Sequence, residues 1–233
     1  MERINKNPVI IEFNGLPGSG KTTIAQELQR HLIKTGKSCL NYYCRSSLFK
    51  SPRFLYLMPH YWREIEKAKK NSLSLSLNEE NSYYLHFLQY IRMYREYIKD
   101  VPSDILIIDQ GILQSFLSMS HQNKIQSTGI VELFIKSFKI DVFPLVLINC
   151  DVDENVANKR IEDRKENGCR VESMSLSERQ KTLITQSANL TIIRKAISNV
   201  CLSLPSIEID ATNSIDNNVD QIVSFINKKI YEI

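Results

Sequence analysis

The chain has 233 residues, 42% hydrophobic and 24% charged, enough to bury one substantial core without requiring a second domain. Its 30 Lys and Arg against 26 Asp and Glu leave a formal charge of +4 with no long basic block, which argues against an extended nucleic-acid surface. Residues 1–8 are polar, and every apolar run falls well short of the roughly 20 residues a membrane span needs, so a soluble, cytoplasmic protein with no membrane contact is expected.

The first element is an apolar strand at 9–13, followed by Gly15-Leu16-Pro17-Gly18-Ser19-Gly20-Lys21-Thr22 and a helix-patterned stretch at 23–34, where Ile24, Leu28 and Leu32 share a face that ends at Gly36. The spacing G-x-x-x-x-G-K-S/T between a strand and a helix is that of a phosphate cradle. The glycines let backbone N–H groups turn inward, and the helix points its positive end at the same place. Gly15, Gly18 and Gly20 supply that freedom, Pro17 stiffens the loop, and Ser19 and Thr23 complete its lining. Lys21 is expected to reach the β and γ phosphates of a bound nucleotide, with the Thr22 hydroxyl as one ligand of Mg²⁺.

Further strands are expected at 38–43, 104–108, 143–149 and 207–209, each followed by helices, which reads as a parallel sheet covered on both faces. Functional groups should then gather at the carboxyl ends of the strands. Arg45, just past the second strand, is a candidate anchor for an anionic acceptor. The largely helical stretch at about 50–100 could cover an acceptor pocket, and within it Arg92 is a second candidate contact. Asp109 ends the buried run Ile105-Leu106-Ile107-Ile108 and is expected to face the loop, as a metal-linked group or as a base for a hydroxyl acceptor.

After the fourth strand, Asp151 reads as the cap of the next helix, on which Arg160 and Arg164 would stand one turn apart. Arg170 and Glu172 fall in a charged flap, so that a lid is expected at about 164–175. Planar guanidinium groups suit the charge that develops on a moving phosphoryl group. Ser175-Leu176-Ser177-Glu178 is a capping box opening a helix to about residue 199, and a turn-rich patch at 210–218 precedes a last helix at 219–230. The cysteines Cys39, Cys44, Cys150, Cys169 and Cys201 and the four histidines lack metal-ligand spacing, so reduced thiols and no zinc site are expected.

Taken together, Gly15 to Thr22, the strand ending in Asp109, Arg160 with Arg164 and Arg170, and Glu208-Ile209-Asp210-Ala211-Thr212 resemble the P-loop nucleoside and nucleotide kinases, most closely the thymidylate-kinase-like branch, over nearly the whole chain. The resemblance implies one three-layer α/β domain with a five-stranded parallel sheet of order 2-3-1-4-5 and a lid that closes over ATP. It makes Lys21, Asp109, Arg160, Arg164 and Arg170 the catalytic set, with Arg160 on the adenine side and Ala211 and Asn213 lining the adenine pocket through their backbone. It further implies a small-molecule phosphate acceptor and a homodimer. The chain departs from that branch at Gln110-Gly111 and at Cys44-Arg45-Ser46-Ser47, and 41–50 holds no glutamate to serve as a nucleoside kinase's base. The acceptor therefore stays open between a nucleoside monophosphate and a hydroxyl-bearing nucleoside, sugar or antibiotic, beside a non-catalytic nucleotide-binding regulator.

Overall fold

A computed structural model of the chain describes residues 8–42, 103–120, 124–138, 145–164 and 170–231. The expected acceptor cover at about 50–100, with Arg45 and Arg92, lies outside the described residues.

Five strands, β1 (Val9–Gly15), β2 (Cys39–Tyr42), β3 (Ile105–Ile108), β4 (Leu145–Asp151) and β5 (Ser206–Asp210), form one parallel sheet of order β2-β3-β1-β4-β5. The central strands are buried on both faces, as their continuous apolar runs require. The period of two assigns the faces. Ile11 and Phe13 of β1, Val146 and Ile148 of β4 and Ile209 of β5 join Ile24, Leu28, Val219 and Ile222 in one core, so helices α1 (Lys21–Lys34) and α6 (Ile215–Ile226) cover that side. The alternate residues of β1, among them Glu12 and Asn14, face α2 (Ile112–Ser120), α3 (Thr128–Phe138) and the long helix α5 (Leu176–Val200).

Helix α4 (Glu154–Glu162) follows β4, and a short 3-10 turn (Arg170–Ser173) precedes α5. The capping box expected at the start of α5 is present: the Glu178 N–H donates to Ser175 Oγ at 3.4 Å, and the Glu178 carboxylate takes the Ser175 N–H at 3.1 Å. Further along, Asn189 ties α5 to α2 and to the segment that leads into α3, accepting from the Ile125 N–H at 2.9 Å and donating to Ser120 Oγ at 3.1 Å.

Three expectations change. The cap of α4 is Asp153, which accepts from the Asn155 N–H at 2.8 Å, whereas Asp151 still belongs to β4 and pairs with Asp210 of β5. The helix stops at Glu162, one residue past Ile161, its last buried apolar side chain, so Arg164 lies beyond the helix and only Arg160 is on it. The final helix starts at Ile215 rather than 219, because Ser214 caps it by accepting from the Asn217 N–H at 3.2 Å.

A candidate nucleotide site at the carboxyl ends of the strands

Where β1 ends, the backbone enters a loop that only glycine can follow. Gly18 has φ 81°, and a Cβ there would lie 2.5 Å from the Ala157 carbonyl oxygen, so the loop lies directly against α4. Gly20, also left-handed, opens α1 with no side-chain cap and no acidic residue in the first turn. The first N–H groups of α1 therefore keep their positive end for an anion from outside the helix.

Lys21 is almost fully buried, and its Nζ donates to the carbonyl oxygens of Gly15 at 2.9 Å and Leu16 at 2.7 Å and to Ser19 Oγ at 3.2 Å. The ammonium thus rests on the loop that precedes it, a compact cation at the head of α1. Thr22 and Thr23 follow on the exposed side of the first turn, and Pro17 is half-buried.

Across from the loop, Asp109 is 3% exposed and its Oδ2 accepts from Thr22 Oγ1 at 2.9 Å. A hydroxyl and a carboxylate side by side form an all-oxygen donor pair that suits Mg²⁺, a cation that keeps much of its shell for water and phosphate. No group of three or more His, Cys, Asp or Glu among the described residues could cage a metal. The turn carrying Asp109 is fixed from below by Glu12, fully buried in β1, whose Oε1 takes the Leu113 N–H at 2.6 Å. The Glu12 carboxylate fills the space in front of Gly111, so no side chain fits at that position. From the next residue of α2, Gln114 Oε1 accepts the Gly15 N–H at 3.4 Å.

On the α4 side, Arg160 donates from Nη2 to the Ala211 carbonyl oxygen at 2.9 Å, and its Nη1 lies 3.9 Å from where a Cβ on Gly20 would be. Loop, α4 and the turn after β5 thereby meet at one place. That turn is built by Asp210, whose carboxylate accepts the Thr212 hydroxyl at 2.6 Å and the Thr212 N–H at 2.8 Å. These bonds, with Arg160 nearby, hold the Asp210 carboxyl below its usual range. Asn213 donates its N–H to the Asp210 carbonyl oxygen at 3.1 Å and leaves its side chain exposed. Arg164 pairs with Glu172 at 3.6 Å, and Arg170 falls in the 3-10 turn before α5. Burial pushes the Cys150 thiol up to about 12 despite the opposing influence of Lys21 and Arg194, which leaves it inert at neutral pH.

A polar network behind the loop has no counterpart in the expectations from sequence. Asn14 Nδ2 donates to Asn149 Oδ1 at 2.6 Å, Arg194 Nε donates to Asn14 Oδ1 at 3.3 Å, and Arg194 Nη1 bonds Asp151 Oδ1. Its available signal was two asparagines near the ends of strands otherwise made of Ile, Val, Leu and Phe.

The strand order and the glycine loop, with the carboxylate beyond β3, define a P-loop protein of the nucleoside and nucleotide kinase superfamily. Residues 11–181 match the family model described as an AAA domain, and the chain belongs to that family. Among curated proteins it is similar to the thymidylate kinase of Leptospira borgpetersenii serovar Hardjo-bovis (strain L550), 26% identical over 174 residues covering 75% of this chain and 78% of that protein. The thymidylate kinase of Leptospira interrogans serogroup Icterohaemorrhagiae serovar copenhageni is 27% identical over 180 residues, covering 75% and 79%. Among solved structures, deoxyadenosine kinase from M. mycoides with bound dATP shares the fold at a TM-score of 0.52 and 16% identity, covering 94% of this chain and 99% of that one. No helix among the described residues is long and apolar enough to cross a membrane.

Proposed function

We propose that this chain is an ATP- and Mg²⁺-dependent phosphotransferase that moves the γ-phosphoryl group to a small molecule, a nucleoside monophosphate or a related nucleotide. The observation that carries the reading is the Thr22 to Asp109 hydrogen bond beside an uncapped glycine loop, which brings hard oxygen donors and anion-binding amides to one point. The family match and the two thymidylate kinases support the choice of a nucleotide acceptor.

In this reading the loop from Gly15 to Gly20 takes the phosphate tail on its amides and Lys21 leaves its carbonyl partners to meet the β and γ phosphates. Thr22 and Asp109 would hold Mg²⁺, which when bound neutralises charge on the phosphate oxygens. Arg160 lies against the base side with Ala211 and Asn213, and Arg164 and Arg170 bring positive charge from the lid. Arg45 and Arg92 contact the acceptor, under a cover at about 50–100 within a single domain, and the protein works in the cytoplasm as a homodimer. A phosphate acceptor is already ionised and needs no base.

A second reading, transfer to a hydroxyl, is favoured by one feature: Asp109 is a buried carboxylate already engaged with a hydroxyl group. ADP release measured with a panel of nucleoside monophosphates and nucleosides separates the two. Stimulation by monophosphates supports the first reading, stimulation by nucleosides alone supports the second, and no stimulation by any acceptor contradicts both.

A further inference from the structure

We propose that Arg194 is a positioning residue for the phosphate loop, a clamp from α5 that fixes the ends of β1 and β4. This rests on the reading of the loop as a nucleotide site.

The guanidinium of Arg194 reaches the sheet at two points: Asn14 Oδ1, 3.3 Å from Nε, and the Asp151 carboxylate, bonded by Nη1. Asn14 is the residue immediately before Gly15, it is 1% exposed, and it is also joined to Asn149 of β4. Asp151 is the last residue of β4, its carbonyl oxygen takes the Ala211 N–H at 2.8 Å, and α4 with Arg160 starts three residues later. One side chain therefore sets the entry to the loop and the departure point of the strand that leads to Arg160.

The surroundings make this link consequential. An open polar groove of about 750 Å³, lined by Asn149, Asp151, Lys195, Glu208 and Asp210 together with Arg194, separates this part of α5 from β4 and β5. Beside this groove the bonds of Arg194 to Asn14 and Asp151 tie α5 to the ends of β1 and β4, and a bond between charged partners is stronger than a neutral one. Toward its amino end α5 holds α4 by a second pair, Arg179 to Glu162 at 3.4 Å, so the helix that follows the expected lid grips both walls of the site. Only a planar fork spans Asn14 and Asp151 together; a lysine ammonium is a single point and reaches one of them.

The test uses Arg194→Met, Arg194→Lys, Asn14→Ala and the double variant Arg194→Met with Asn14→Ala, all in the full chain. Hydrogen exchange of the unliganded proteins reads positioning without nucleotide: faster exchange at residues 14–20, with 215–226 unchanged, is expected for Arg194→Met. Calorimetry with Mg-ATP should show affinity about tenfold weaker for Arg194→Met, little recovery in Arg194→Lys, and a double variant weakened by less than the sum of the two single changes. In turnover the KM for ATP should rise while the KM for the acceptor stays put. Loop exchange unaltered in a folded Arg194→Met protein, full recovery by lysine, or additive effects of the two single changes would each overturn the proposal. If the wild type itself gives no heat with Mg-ATP, the nucleotide reading fails, and the exchange data still decide whether Arg194 holds the loop.

Discussion

The Thr22 hydroxyl and the Asp109 carboxylate, 87 positions apart in the chain, are hydrogen-bonded at 2.9 Å. The bond joins the first turn of α1 to the turn that leaves β3, and it brings together the two oxygen donors on which the metal assignment depends.

An Asp109→Asn substitution keeps an oxygen that can accept from Thr22 and removes the charge. The expected result is a folded protein whose turnover falls about 10²- to 10⁴-fold if the acceptor is a hydroxyl, because the base is gone. For a phosphate acceptor the loss is smaller and raising Mg²⁺ recovers part of it. ADP release as a function of Mg²⁺ concentration distinguishes the two outcomes.

Gly111→Ala drives a methyl group into the buried Glu12 carboxylate that holds the Leu113 N–H. A destabilisation of about 1–3 kcal/mol is expected, which lowers Tm by roughly 2–4 °C per kcal/mol for a chain of this size. Gly129→Ala supplies the contrast. It lies in the first turn of α3, nothing stands within 4 Å of the added Cβ, and alanine suits a helix better than glycine, so thermal unfolding should show no loss.

Asp153→Ala and Ser214→Ala each remove a helix cap and should each cost about 1 kcal/mol in a denaturant titration. Asp151→Ala should spare the start of α4, since its carboxylate bonds Arg194 and not the helix amides. A stability loss at Asp151 with none at Asp153 would contradict the capping assignment.

The Asp210 carboxyl titrates below its usual range because Thr212 donates to its charged form twice. A carboxyl lowered on folding contributes stability that is full above its unfolded pKa and lost as pH falls through the folded pKa. The turn at Ala211 should hold at neutral pH and loosen only in acid below the ordinary carboxylate range. Thr212→Val deletes the hydroxyl donor, raises the Asp210 pKa and moves the loosening to higher pH. An NMR titration of the Asp210 carboxyl checks this, and an unmoved midpoint in the variant would contradict it.

The loop was legible in sequence because its chemistry is local: glycines, lysine and threonine lie within eight consecutive positions between a strand and a helix. The parallel sheet, and Asp109 at the end of one of its strands, followed from apolar runs long enough to be buried on both faces, while the strand order came with the resemblance to the P-loop kinases. The boundaries of α4 and α6 depart from the sequence pattern for a related reason. Charge spacing in Arg160-Ile161-Glu162-Asp163-Arg164 continues a helical pattern past the last side chain with a core to enter, and Ser214 stood within a stretch that reads as turn. The clamp of Arg194 on Asn14 spans 180 positions, and Asn14 to Asn149 spans 135. No local spacing encodes such partners. They become neighbours only once β4 is laid beside β1 and α5 is brought over both.

Calorimetric titration of the full chain with Mg-ATP, beside a Lys21→Ala variant shown to be folded by its thermal transition, tests the central claim most directly. A saturable heat is predicted for the wild type, abolished by chelating the metal, with affinity in the variant weaker by roughly 10- to 100-fold, as expected for losing a charged hydrogen bond to phosphate. Identical titrations for the two proteins, or no heat from the wild type, would contradict the account.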